Sequence, residues 1–107
     1  SSPSKRTKET TQLLLSGLHN LDISVNYIED GYLADPAIWI KNIENLPSET
    51  PTCIVVGHNP GISDLITILS GSQITMTPGA CVAMELLIND WDEVFEGTGN
   101  VLSAYRP

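Results

Sequence analysis

The sequence predicts an α/β domain with a partly parallel sheet, because segments with helical and strand-like patterns alternate along its 107 residues. The clearest unit is a short apolar run, residues 54–56, followed by a glycine-containing turn and an amphipathic segment. Such a unit indicates a buried strand, a tight turn and a helix. A chain of this length corresponds to one small domain or to part of one.

The first half of the chain is expected to form two helices with one strand between them. The pair Ser2-Pro3 is typical of a helix start, with serine as the N-cap and proline at the first helical position. Residues 23–28 alternate as a short strand does. The pair Asp35-Pro36 marks a second helix start, and Pro47 ends that helix. The apolar face of the first helix is predicted to consist of Leu13, Leu14 and Leu18.

The second half is expected to form one helix and two strands. Gly71 should end the amphipathic segment that follows residues 54–56, as glycine commonly does at helix C-termini. Residues 81–88 are predicted to form a strand, in which Val82, Met84, Leu86 and Ile88 lie on one face. A last short strand is predicted over residues 101–105.

Composition and charge restrict the function. The formal net charge is −8 and the sequence pI is near 4.3, so the chain should repel nucleic acid and anionic membranes. No apolar run is long enough to cross a bilayer, and no N-terminal segment resembles an export signal. Cys53 and Cys81 both lie in apolar runs, which favours free, buried thiols in a reducing compartment. We therefore expect a cytoplasmic protein with no nucleic-acid partner and no membrane partner.

His58 lies at the predicted junction between the strand over residues 54–56 and the helix that follows. In open α/β sheets, ligands bind just beyond the carboxyl ends of strands. The N-terminus of the following helix presents unpaired N–H groups and the positive end of the helix dipole, which favour anions. This location predicts that His58 meets a phosphate group. The alternative is a histidine whose hydrogen bonds are satisfied by its own turn.

Further cationic groups come from the predicted first turns of the N-terminal helix. Lys5, Arg6 and Lys8 are three of the five basic residues in the chain. The alternative interpretation is a solvated basic turn. His19, near the end of the same helix, is interpreted as a surface or helix-capping residue. The chain has no CxxC motif and no cluster of histidine and cysteine, so no metal site is predicted.

Two segments resemble the histidine phosphatase (phosphoglycerate mutase-like) superfamily. Residues 2–10, SPSKRTKET, are similar to its S-P-x-x-R-x-x-x-T segment. Residues 56–65, VGHNPGISDL, are similar to its second histidine segment, in the version of the SixA-type phosphohistidine phosphatases. Residues 77–80, TPGA, and 105–107, YRP, resemble the same branch. These segments are distributed from one end of the chain to the other, so the resemblance extends over nearly its whole length.

The resemblance implies an α/β, three-layer fold in which helices flank a mostly parallel sheet. It also implies an N-terminal strand that ends in Arg-His-Gly and carries the nucleophilic histidine, whereas this chain contains no Arg-His-Gly. We therefore expect residues 1–107 to be the C-terminal portion of a single histidine-phosphatase domain, with that strand missing through a truncated N-terminus. A pseudoenzyme and a small complete domain that begins with a helix are the alternatives.

By the same resemblance, the catalytic residues are His58, Arg6 and Glu29, and the phosphate-binding residues are Arg6, His58 and Asn59. Arg6 would bind phosphate oxygens bidentately, and His58 would donate a hydrogen bond to a phosphoryl oxygen. Asn59 has a second interpretation, in which its side chain orients the turn. Glu29 would be the general acid, with Asp30, no acid at all, or a purely solvated turn as alternatives. No cofactor and no metal ion is required.

The expected function is a phosphatase that acts on phosphohistidine or on a phosphomonoester, through a phosphohistidine intermediate on the enzyme. Its partner would be a phosphorylated substrate, with a phosphohistidine-bearing protein as one candidate. Without the nucleophile, the chain alone is expected to be inactive. Two alternatives remain: a non-catalytic module that binds phosphorylated ligands, and an interaction domain in which the turn is only a sharp corner.

Overall fold

Three α-helices and one two-stranded antiparallel sheet form the regular structure of the described chain, residues 1–31 and 35–107 of a computed structural model. None of these helices is both long and apolar enough to cross a lipid bilayer. The elements are, in chain order, α1 (Lys5–Gly17), a 3₁₀ turn (Glu29–Gly31), α2 (Pro36–Glu44), α3 (Gly61–Ser70), β1 (Cys81–Leu86), a second 3₁₀ turn (Trp91–Glu93) and β2 (Gly99–Tyr105).

The first helix begins two residues later than the sequence predicts. Its N-cap is Ser4 rather than Ser2, and the Ser4 hydroxyl accepts a hydrogen bond from the Thr7 amide at 3.3 Å. The predicted apolar face is also wrong, because Leu13 is 73% exposed. The buried residues of α1 are Thr7 and Thr11, whose hydroxyls find hydrogen-bond partners. Leucine spacing alone does not determine which side of a helix meets the rest of the protein.

The start of α2 and the end of α3 agree with the sequence, whereas α2 ends at Glu44, before the predicted stop at Pro47. Asp35 accepts hydrogen bonds from two α2 amides, at 2.9 and 3.3 Å, and Pro36 is the first helical residue. Gly71 ends α3 with φ 72°, a left-handed conformation that glycine adopts without strain. These capping residues therefore determine where α2 starts and where α3 ends.

The hydrophobic core lies between α2 and α3. It extends to the second 3₁₀ turn, where the Trp91 indole N–H donates a hydrogen bond to the Thr50 carbonyl at 2.9 Å. That bond ties the turn to the loop after α2. The buried core residues are Trp39, Ile43, Leu65, Leu69 and Val94.

The sheet pairs β1 with β2 in antiparallel register, with Cys81 opposite Tyr105. Side chains in β1 alternate between exposed and half-buried, which confirms the predicted single buried face, although the strand ends at Leu86 rather than at residue 88. The second strand begins at Gly99, two residues earlier than predicted. Contact between α3 and this strand is close, since a Cβ on Gly99 would lie 3.0 Å from the Leu69 carbonyl oxygen.

The predicted three-layer fold with a mostly parallel sheet is wrong. Within residues 1–31 and 35–107, β1 and β2 form the whole sheet, and it is antiparallel. Residues 23–28 and 54–56, predicted as strands, lie outside any helix or strand. Both segments bond to the backbone of Ser1-Ser2, and Ile54 is 54% exposed. An apolar run becomes a strand only where a partner supplies a ladder of backbone hydrogen bonds, and a two-residue partner is too short.

Candidate functional site

Ser2 is the residue on which the candidate site is built. Its amide donates a hydrogen bond to the Val56 carbonyl at 2.9 Å, and the carbonyl of Ser1 accepts one from the Ile28 amide at 2.8 Å. The Ser1-Ser2 pair therefore joins two segments that are distant in the sequence. Ser2 itself has no exposed surface (0%), so its hydroxyl is enclosed by protein.

The side chain of Ser2 contacts His58. Ser2 Oγ lies 2.8 Å from His58 Nε2, across 56 positions of the chain, and His58 is half-buried. The contact brings together the two segments that carry the family resemblance, since Ser2 begins the S-P-x-x-R segment and His58 belongs to the G-H-N-P-G segment. Sequence reasoning missed this role, because a serine before proline is typical of a helix cap and no local pattern encodes its burial.

Two glycines allow the backbone to approach Trp39 next to this contact. A Cβ on Gly31 would lie 3.1 Å from Trp39 Cη2 and 3.1 Å from Ser2 Cα, and a Cβ on Gly57 would lie 3.0 Å from Trp39 Cζ2. Trp39 is 3% exposed. Because the indole is a rigid and buried plane, it holds the backbone on both sides of the contact between Ser2 and His58.

Arg6 lies on the first turn of α1 and is exposed. Its neighbour Thr7 donates a hydrogen bond from its hydroxyl to the Ser2 carbonyl at 2.7 Å, so this turn is held against Ser2. Four residues of chain span at most about 14 Å, which limits how far Arg6 lies from Ser2. The N-terminal end of α1 is therefore next to the segment that carries His58.

Both polar atoms of the Asn59 side chain have protein partners. Its Nδ2 donates a hydrogen bond to the Met76 carbonyl, and its Oδ1 accepts one from the Ser63 hydroxyl at 2.6 Å. The Ser63 hydroxyl also accepts from the Met76 amide at 2.8 Å. These bonds fasten the turn before α3 to the loop after it, which favours the interpretation that Asn59 orients the turn. Phosphate binding by Asn59 stays a prediction.

Glu29 and Asp30 lie in the first 3₁₀ turn and are both exposed. The turn is next to the candidate site, because its last residue, Gly31, is buried and packs against Ser2 Cα. Tyr32, which follows Gly31 in the sequence, lies outside the described residues. The fold thus brings the turn that carries these two exposed residues beside Ser2.

The pair formed by Ser2 and His58 cannot act as a serine nucleophile with its base. A substrate atom would have to reach Ser2 Oγ, and Ser2 is fully buried. The only other histidine in the sequence, His19, is exposed beyond the C-terminal end of α1, with Nδ1 3.3 Å from the Ser16 carbonyl. Among the residues that the structure describes, no three histidine, cysteine, aspartate or glutamate side chains group closely enough to hold a metal ion.

Cys53 lies on the segment that leads to His58. It is half-buried, and this burial raises the pKa of its thiol. Cys81 is exposed, so the prediction that both thiols are buried is wrong for Cys81. The first position of β1 belongs to the side of the strand that faces solvent.

Comparison with known proteins finds a relative in a mycobacterium. The chain is 38% identical over 71 residues to an uncharacterized protein of Mycobacterium leprae (strain TN), and the match covers 66% of this chain and 41% of that protein. The aligned part thus spans about two fifths of the relative's length. No protein-family model matches the chain, and no solved structure matches it significantly. Because that relative is uncharacterized, the match assigns no function to this chain.

Proposed function

We propose that this chain supplies the phosphate-binding part of a histidine-phosphatase active site that acts on phosphohistidine or on a phosphomonoester. The observation that carries the proposal is the 2.8 Å contact between Ser2 Oγ and His58 Nε2. It supports the proposal because it joins two motifs that lie far apart in the sequence and resemble the same active site. A chance likeness of two short motifs would not require them to meet in space.

Each group has a distinct task in this mechanism. Phosphoryl transfer needs positive charge around the transferred oxygens and a nucleophile in line with the leaving group. Arg6 offers a planar guanidinium that binds two phosphate oxygens, and His58 donates a hydrogen bond to another. A histidine outside this chain takes the phosphoryl group and then releases it to water. Glu29, or Asp30 beside it, protonates the leaving alkoxide.

The charge distribution confines such a phosphate site to one positively charged region of the surface. The chain as a whole carries a formal net charge of −8, which repels anions at long range. Three of its five basic residues, at positions 5, 6 and 8, lie in the first turns of α1. A compact phosphate group can bind there at short range, whereas an extended polyanion would also meet the acidic surface.

The test of catalysis is hydrolysis of p-nitrophenyl phosphate by the intact gene product and its variants. Removing one group that stabilises charge in the transition state typically costs about 10²–10³-fold in kcat, and we expect losses of this order for Arg6→Ala and for His58→Ala. Lys5→Ala and His19→Ala are the matched controls, since they remove the same residue classes from α1 and from the turn after it. Rates like those of the wild type in Arg6→Ala or His58→Ala would contradict the proposal.

A second candidate is a module that binds phosphorylated ligands without chemistry. It is favoured by the placement of the histidines: His19 lies beyond the far end of α1 from Arg6, and a 13-residue helix is about 20 Å long. His19 is therefore too far from Arg6 to act as the nucleophile, and His58 already has the role of phosphate ligand. Tungstate binding without any turnover in the intact gene product would select this candidate. A trapped phosphohistidine would select the enzyme.

A further inference from the structure

We infer that Ser2 is a positioning residue, which fixes the orientation of the His58 ring and determines which ring nitrogen carries the proton. The effect of Ser2 on phosphate binding and catalysis rests on the proposed function. Its effect on the orientation and the tautomer of the His58 ring does not, because both can be measured without any ligand.

The Ser2 hydroxyl is held in place by the backbone of its own residue. The Ser2 amide is bonded to the Val56 carbonyl at 2.9 Å, and the Ser2 carbonyl accepts hydrogen bonds from Thr7 Oγ1 at 2.7 Å and from Ser1 Oγ at 2.9 Å. A serine Oγ is a single torsion away from its backbone, and Ser2 is fully buried. The oxygen therefore has few available positions, and the observed one is 2.8 Å from His58 Nε2.

Burial indicates where the hydroxyl proton of Ser2 points. Ser2 Oγ accepts a hydrogen bond from the Ser4 amide at 3.4 Å, and its own proton needs a protein acceptor because Ser2 is fully buried. His58 Nε2, 2.8 Å from Ser2 Oγ, is placed to accept that proton. A neutral imidazole that accepts at Nε2 carries its own proton on Nδ1. Ser2 thereby holds His58 in the form that donates through Nδ1.

Ser2 also connects His58 to α1. The hydrogen bond from Thr7 to the Ser2 carbonyl attaches the first turn of α1, which carries Arg6, to the same residue. Under the proposed function, Ser2 therefore sets both the orientation of His58 and its separation from Arg6. Geometry of this kind matters because a phosphate must be met by both groups at once.

Nitrogen NMR of the ¹⁵N-labelled intact protein tests the inference, with the His58 signals assigned by their absence from His58→Gln. We expect one dominant neutral tautomer in the wild type, protonated on Nδ1. Ser2→Ala should weaken that preference measurably, and Ser2→Thr, which keeps a hydroxyl, should retain it. Thr11→Ala is the control, because it removes a buried hydroxyl bonded to Ser1 Oγ at 3.1 Å and should leave the His58 pattern unchanged.

Two results would overturn the inference. One is a His58 pattern in Ser2→Ala that equals the wild-type pattern. The other is a wild-type ring that averages between tautomers or is protonated on Nε2, and this result does not depend on any variant being folded.

Tungstate titration of the same proteins separates this inference from the proposed function. A neutral hydrogen bond contributes about 0.5–1.5 kcal/mol, so Ser2→Ala should weaken tungstate binding about two- to tenfold. If the wild type binds no tungstate but Ser2→Ala changes the tautomer, the positioning inference stands and the proposed function is wrong. If His58→Gln abolishes binding and Ser2→Ala leaves both affinity and tautomer unchanged, the proposed function stands and the positioning inference is wrong.

Discussion

The substitution Gly57→Ala should destabilise the protein by about 1–3 kcal/mol, the usual cost of adding atoms to a packed region. The added Cβ would lie 2.8 Å from Ile62 Cδ1 and 3.0 Å from Trp39 Cζ2, and both distances are below the roughly 3.5–4.0 Å that carbon atoms prefer. Ile62 is half-buried and can turn its terminal methyl away. Trp39 is 3% exposed and cannot move without disturbing the core, so the contact with the indole sets the cost.

Urea unfolding followed by tryptophan fluorescence measures this cost as a change in the free energy of unfolding. Gly17→Ala is the matched control, since nothing lies within 4 Å of a Cβ added there at the end of α1. Alanine is the better helix former, so Gly17→Ala should leave the free energy unchanged or raise it by up to about 1 kcal/mol. Equal free energies of unfolding for Gly57→Ala and the wild type would refute the packing of Trp39 against this turn.

Gly57→Ala should also disturb the geometry of the candidate site. Gly57 immediately precedes His58, so a backbone displaced by the indole carries the imidazole with it. Under the proposed function, Gly57→Ala should weaken tungstate binding while Gly17→Ala should not. Unchanged binding in a destabilised Gly57→Ala protein would mean that the indole supports the fold but not the site.

Three further predictions concern caps and thiols. Asp35→Ala should lower the free energy of unfolding by about 0.5–2 kcal/mol, measured in urea, because two α2 amides lose their acceptor; no loss would contradict the cap. Iodoacetamide should alkylate the exposed Cys81 faster than the half-buried Cys53, as read by peptide mass spectrometry, and the reverse order would show that β1 is placed wrongly. Burial raises the pKa of the Cys53 thiol, so the folded chain keeps that proton to higher pH than the unfolded chain, and the free energy of unfolding should fall as the pH rises from the ordinary thiol pKa toward the raised one. Cys53→Ala should remove the contribution of this thiol to the fall in the free energy of unfolding. A pH dependence identical to that of the wild type would contradict the raised pKa of Cys53.

The features that could be predicted from the sequence depend on short-range backbone chemistry. Asp35 followed by proline marks the start of α2, because both residues act within one turn of the helix. Gly71 ends α3 because few other residues adopt its positive φ without strain. The alternation along β1 was readable for the same reason, since neighbouring side chains of a strand point to opposite faces.

The features that could not be predicted depend on distant partners. Residues 54–56 have the composition of a buried strand, but pairing decides whether such a run becomes one, and Ser2 supplies a single backbone bond to Val56. The leucines of α1 have helical spacing, yet Thr7 is buried there because its hydroxyl reaches the Ser2 carbonyl. In the candidate site, His58 was found from its motif, whereas Ser2 was missed because only the folded chain brings it to the imidazole.

Titration calorimetry with tungstate tests most directly whether the guanidinium and the imidazole bind one anion together. We expect one tungstate per intact protein, with binding at least about tenfold weaker in Arg6→Ala and in His58→Ala, since a hydrogen bond to a charged group contributes about 1.5–3 kcal/mol. Lys5→Ala removes one charge from the same turn without removing a ligand, and the effect of such an exposed charge is at most about 1 kcal/mol. A tungstate affinity that survives both Arg6→Ala and His58→Ala, or a wild type that binds no tungstate, would contradict a shared phosphate site.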